Sequence, residues 1–359
     1  MRERRMAQAP VRIEWEAAVA GLVSGGLGAV AALIAFWGET APLWVAGWSI
    51  GALAAIAAGA LSLVAAFLAY WRSRYQPGQE WRLAIPSWKF ILDAVAVAFV
   101  HAAIAALAAI GVFVVLQGSF PGLDIDGPSA AVLVGVASGL AAYATWISCG
   151  TITTRRMSTL LVVYMTISVF AAMLTTSDPL WWEYHFSQLG SFGDGSASLF
   201  NITLIAAGAL VVVFAMYLQR DLARLHELGS LRRASTPRTV GVLFVIMGVM
   251  LSGVGLVSVS ISEPVHIAFA SGMFVVFIGM LIGSPWLFDG MPRTLQVLTW
   301  LFLAAIVVTV LLFFPIGYFN LTALELIAFG LIFGWIAVFI RFETATGEAQ
   351  DATPARADA

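Results

Sequence analysis

The chain has 359 residues, of which 61% are hydrophobic and only 11% charged, with a mean hydropathy of +0.94. A soluble domain carries roughly 45–50% apolar and about 25% charged residues, so a soluble enzyme with a large core is excluded and a polytopic membrane protein is expected. A net charge of −2, divided between two membrane faces, gives no argument for nucleic acid, and no nucleic-acid partner is expected. The single cysteine, Cys149, excludes an internal disulfide and any multi-cysteine metal site.

The N-terminal stretch MRERRMAQAPVRIEWE is basic, and the apolar run behind it has no small-residue cleavage site. It reads as a retained cytoplasmic tail rather than a signal peptide. A span needs ~20 mostly apolar residues to cross the hydrocarbon. Ten stretches qualify: Ala17–Trp37, Leu43–Tyr70, Ile91–Leu116, Ala130–Ser148, Met157–Leu174, Leu199–Leu218, Val240–Val259, Val265–Ile282, Leu298–Phe314 and Thr322–Ile340. The first pair is joined by the short GETAP turn at Gly38–Pro42. An open sheet cannot satisfy its backbone in lipid. The predicted fold class is therefore all-α, a transmembrane helix bundle of about ten spans in a cell membrane, with membrane lipids as its surroundings.

Charge fixes the expected sidedness. With ten spans, all 18 Lys and Arg fall on one side: before the first span, and after the second, fourth, sixth, eighth and tenth. The other side carries Glu39, Asp124, Asp126, Asp178, Glu183, Asp194 and Glu263 and no basic residue. The positive-inside rule then puts both termini in the cytoplasm. Composition also shifts near Thr151, from Ala/Gly-rich spans to spans richer in Phe, Val, Ile and Leu. This predicts a four-helix segment over 1–150, a six-helix domain over 151–342, and a disordered cytoplasmic tail over 343–359, polar and free of aromatics.

The candidate site lies around the stretch 178–208, where a polar and aromatic loop holds Trp181, Trp182, His185 and Ser187 between two hydrophobic runs. Asn201 follows near the outer end of the sixth span, where an amide commonly bonds a neighbouring helix. His266 opens the eighth span just after Glu263 and Pro264, and Glu325 lies about one turn inside the outer end of the last span. Each has an ordinary reading: a wetted helix-start histidine, a snorkelling or protonated carboxyl, loop residues that bond backbone. Their shared depth argues for more. Topology puts His185, Ser187, Asn201, His266 and Glu325 at one end of the bundle, which predicts an outer polar pocket with the Trp/Tyr/His loop, Trp181 and Trp182 included, as a headgroup-level lid. His101, by contrast, is deep in the third span with no charged partner, and is expected to be neutral and bonded to a neighbour. Glycine pairs at Gly21/Gly25, Gly135/Gly139 and Gly330/Gly334 permit close helix approach.

HFSQLG, FNITLIAAG, GVGLVSVSISEPVHIAFA and a final span with an embedded Glu together resemble the bacterial domain-of-unknown-function 998 family, over about residues 157–342. That family is in turn similar to the eukaryotic Frag/DRAM/Sfk group. His185, Ser187 and Gly190 match its H-x-S-x-x-G loop, Phe200 and Asn201 its helix opening, His266 its helix-start histidine and Glu325 its last-helix acid. The GSFGDGSAS insert before Phe200 departs from the pattern. The resemblance implies an integral membrane protein without an established activity or cofactor, and by analogy an involvement with lipids. Three functions follow as expectations: a lipid-interacting protein with the outer pocket, an intramembrane metal-dependent hydrolase or transferase using His185, His266 and Glu325, and a secondary transporter. No HExxH or comparable catalytic motif supports the second, and few midplane charges or interrupted helices support the third.

Overall fold

A computed structural model describes residues 2–352 of the chain, with side chains for 11–350. It divides into two compact units, Met1–Ile152 and Thr153–Ala359. Ten of its helices are long and apolar enough to cross a membrane, and the fold is the all-α polytopic bundle that the hydropathy dictates.

The first unit holds α1 (Arg2–Ala35), α2 (Ile50–Ser73), α3 (Ser87–Ser119) and α4 (Gly127–Gly150). Helix α1 packs chiefly on α4, and α2 on both α3 and α4. Two of the three glycine pairs meet each other: a Cβ built on Gly25 would lie 3.1 Å from the Gly135 carbonyl, and one on Gly139 2.9 Å from that of Gly21. The connection between α1 and α2 is longer than the predicted short turn. Thr40–Pro42 (β1) pairs antiparallel with Asp124–Asp126 (β2) from the α3–α4 connection. The second span consequently starts at Ile50 instead of Leu43. Ser49 caps it by accepting from the Ala52 N–H, as N-cap serines do. The apolar run LWVAGW folds back as loop, with Gly47 at φ 134° and the Trp44 N–H donating to Gln117 Oε1 at 2.9 Å.

The second unit holds α5 (Thr154–Thr175), α6 (Gly195–Glu227), α7 (Thr236–Leu256), α8 (Val259–Ile282), the single turn α9 (Ser284–Leu287), α10 (Arg293–Phe313) and α11 (Leu321–Ala352). Its six long helices form a ring in chain order. Each packs on the next, α8 meets α10, and α11 returns to α5 and α6. Helix α6 is the most buried of the ten spans. Its tightest partner is α7, where Gly208 and Gly248 let the backbones touch. At the end of the ring carrying α9, an aromatic cluster seals the interior: Trp335 stacks on Phe339 with centroids 5.0 Å apart and donates from Nε1 to Thr299 Oγ1 at 3.1 Å.

Helix α11 corrects one expectation. Disorder is predicted from residue 343, yet the helix runs on to Ala352; the rest of that predicted tail lies outside the described residues. The stretch ETATGEAQDA is polar but rich in good helix formers. Continuing an existing helix also avoids the cost of nucleation, and Glu343 is buried rather than solvated.

The α6–α7 contact gives a direct test. A Cβ on Gly208 would sit 2.3 Å from both Gly248 O and Ser252 Oγ, whereas one on Gly330 meets nothing within 4 Å. Gly208→Ala is expected to cost about 1–3 kcal/mol by overpacking, read as a lower thermal midpoint in detergent. Gly330→Ala should leave that midpoint unchanged.

Candidate functional site

The α5–α6 connection, residues 176–194, is built from two short 3-10 turns, Trp181–Glu183 and Phe186–Gly190. Such a segment leaves backbone groups without helical partners, and buried ones must be satisfied from elsewhere. Side chains from α6 and α11 supply them. Asp194 is the N-cap of α6, accepting from the Ala197 N–H at 2.8 Å. It also accepts from Ser177 Oγ at 2.7 Å, which closes the base of the loop. Asn201 Nδ2 donates to Gly190 O at 2.9 Å. Asn320, at the start of α11, caps the Ala323 N–H at 2.9 Å and donates to Trp182 O at 2.8 Å.

The fourth anchor is Glu325. Its Oε2 accepts from the Phe186 N–H at 2.5 Å, so a side chain of the last helix satisfies a peptide group of the loop. The bond fixes Phe186 so that its ring meets Phe200 edge-on, centroids 5.2 Å apart, and lies near Phe329 and Trp181. Gly190 is required by close approach: a Cβ there would fall 2.3 Å from Asn201 Oδ1.

Beneath the loop is a cavity of about 240 Å3, bounded by α6, α7, α8, α10, α11 and the Phe186–Gly190 turn. Its wall is apolar except for Ser187, Ser271 and Glu325. Of the seven residues predicted to form the pocket, then, only Ser187 and Glu325 line it. Asn201 is behind the wall, holding Gly190. Trp181 packs on Phe186. Trp182 is 49% exposed and joins the site only through its backbone carbonyl.

Neither histidine lines the cavity: His185 lies in the loop between its two turns, and His266 lies near the start of α8. The first turn of α8 breaks at Ser262, which is extended (φ −161°, ψ 101°); helix resumes at Glu263, so Pro264 falls in a first turn where its missing N–H costs nothing. His266 Nδ1 donates to Val257 O at 2.8 Å, since a carbonyl can only accept. Nε2 on the other side of the ring is buried without a hydrogen-bond partner. Burial holds the His185 imidazole below the usual histidine range, with the neighbouring His266 adding to the depression and Glu263 opposing it. Asp194 sits well below the usual carboxylate range because Ser196, Ser177 and the Ala197 N–H all donate to it.

Elsewhere, His101 is bonded as expected, Nδ1 to Val97 O at 2.8 Å and Nε2 to Ser148 Oγ at 2.9 Å. Asp93, near the start of α3, is buried and pairs with Lys89 at 3.5 Å. Several polar residues escaped the sequence reading. Arg82 is fully buried, donating to Ser73 Oγ and Tyr70 O. Thr154 donates to Asp221. Asn320 was legible in principle, because Asn three residues before a helical N–H is an N-cap signature. Among the described residues, no three His, Cys, Asp or Glu side chains converge to hold a metal ion.

Ten apolar spans, five of them bounding a loop-covered cavity in the second unit, define a multi-pass membrane protein whose outer helix faces would meet lipid. Residues 160–341 match a family described as protein of unknown function (DUF998), and the chain belongs to that family. No curated protein and no solved structure matches it. The matched segment coincides with most of the second unit, which contains the loop, the cavity and both histidines.

Two outcomes test this geometry. Gly190→Ala should push Asn201 off its carbonyl and speed proteolytic cleavage within residues 177–194. The His185 prediction concerns pH: its folded-state pKa lies below the unfolded value of ~6.5, so below that pH the unfolded chain binds more protons. The thermal midpoint should therefore fall as pH drops from 7 through 6, and fall less in His185→Gln; Asp194 contributes only nearer pH 4.

Proposed function

We propose that the second unit binds a membrane amphiphile, with the polar end of the ligand at Ser187 and Glu325 and part of its apolar chain in the cavity. One observation carries this reading: a carboxyl and a serine share the wall of a cavity whose other lining residues are almost all apolar. Ligand sites commonly pair an apolar lining with a few placed polar groups. The cavity, at about 240 Å3, is smaller than the roughly 300–1,000 Å3 of pockets for whole small molecules. It suits a head and its first methylenes, with the remaining chain left in the bilayer. His185, Asn201, His266, Trp181 and Trp182 then act by shaping the loop above it.

The positive-inside distribution supports an outer-leaflet location for this end of the ring, since the α5–α6, α7–α8 and α10–α11 connections contain no Lys or Arg. Nothing favours the metal-dependent hydrolase or the transporter over this reading.

Extraction of the purified protein followed by lipid mass spectrometry provides the test. Wild type should retain a lipid through purification, and Ala328→Trp, which fills the cavity from α11, should lose it at an unchanged thermal midpoint. Equal retention by a well-folded Ala328→Trp protein would refute the reading.

A further inference from the structure

Granted that the cavity binds an amphiphile, its polar groups specify which kind. Glu325 offers two oxygens, and only Oε2 is committed, to the Phe186 N–H. Oε1 remains to meet a ligand at the cavity wall. Ser187 and Ser271 add hydroxyls, which can donate or accept. One turn before the lining residue Ala270 on α8, His266 stands off the cavity wall, with a buried Nε2 that no protein group satisfies. Its Nδ1 carries the proton given to Val257 O, so in the neutral ring Nε2 accepts.

No cation balances these acceptors. Between Arg156 and Arg220, between Arg238 and Arg293, and between Arg293 and Arg341 the sequence contains no Lys or Arg. The α5–α6 connection carries Asp178, Glu183 and Asp194, the other two connections at this end are uncharged, and Glu263 lies in the first turn of α8 proper. Phosphate recognition ordinarily relies on Arg, Lys or a helix N-terminus. Here a phosphate would meet the Glu325 carboxyl with no cation in the lining beside it. An ammonium head would bring a full positive charge, for which a single carboxyl already bonded to backbone is a poor counter-ion in an apolar cavity. A hydroxyl donates one hydrogen bond to a free acceptor and carries no charge to desolvate.

We propose that the cavity selects an uncharged amphiphile whose polar end bears hydroxyl groups, as in a monoacyl- or diacylglycerol, with Glu325 Oε1 accepting from a ligand hydroxyl and Ser187 bonding a second oxygen. Glu325→Gln separates the two tasks of this side chain. Its amide oxygen still accepts from the Phe186 N–H, so the loop stays docked, while the second position changes from an acceptor to an N–H2 donor.

The experiment measures binding of three oleoyl-chain probes to the full chain in detergent by thermophoresis: monoolein, oleoyl lysophosphatidate and oleylamine. Wild type should bind monoolein most tightly. Glu325→Gln should weaken monoolein about five- to tenfold, the loss of one hydrogen bond, and leave lysophosphatidate unchanged or tighter. Ser187→Ala, which leaves Glu325 and the loop backbone in place, should weaken monoolein by a smaller factor. Tighter wild-type binding of lysophosphatidate or oleylamine would overturn the head-group assignment, as would unchanged monoolein affinity in both variants. Ala328→Trp keeps the two ideas apart: loss of all three probes upholds the cavity whatever their order, and unchanged binding of all three refutes the cavity itself.

Discussion

The second unit depends on one bond between a side chain and a peptide group, from the Phe186 N–H to Glu325. A membrane protein can hold non-helical backbone at its helix ends only if something satisfies the exposed peptide groups. The α5–α6 loop is such a backbone, and the last helix reaches across to provide for it twice, through Asn320 and Glu325. The carboxyl therefore has a structural duty before any ligand arrives. That duty explains why an acid can persist on an otherwise apolar wall, where an unpaired one would be costly.

Around this bond the ring divides into a rigid and a lighter part. Gly208 and Gly248 bring α6 and α7 into backbone contact, and the Trp335 cluster locks α11 at the far end of the ring. The seam between α8 and α10 is the least packed of those between long neighbouring helices. The cavity is bordered by both kinds of contact, with Phe200 and Leu251 on the tight pair and Phe274 and Val310 on the loose one.

Much of this architecture was legible in the residues, for a definable reason. Hydropathy records which segments can face lipid, and that property belongs to each segment alone. The ten spans follow from it, whereas the likeness to the family rests on the motif residues around His185, Asn201, His266 and Glu325. Two segments were misread because their composition points the wrong way. LWVAGW is apolar but bends at Gly47 into a loop, and the polar stretch after Phe342 stays helical because α11 has already nucleated. The contacts within the site were not legible, since one sequence fits many pairings of donors and acceptors. That His266 and His185 are neighbours beside the cavity, that Asn201 serves Gly190, and that Trp182 turns outward all depend on how six helices pack.

The GSFGDGSAS stretch acts locally. It supplies the Asp194 cap and the first turn of α6, and the HFSQLG turn keeps its anchors. The order of the ring has a consequence for biogenesis. Helices α5 through α10 can each dock on the one synthesised just before, so most of the unit can assemble while the ribosome is still working. The Phe186 amide, however, waits 139 residues for its acceptor. A nascent or truncated chain that stops short of the final helix thus holds a nearly complete bundle with an unlatched loop, and the cavity is walled in only with the last insertion.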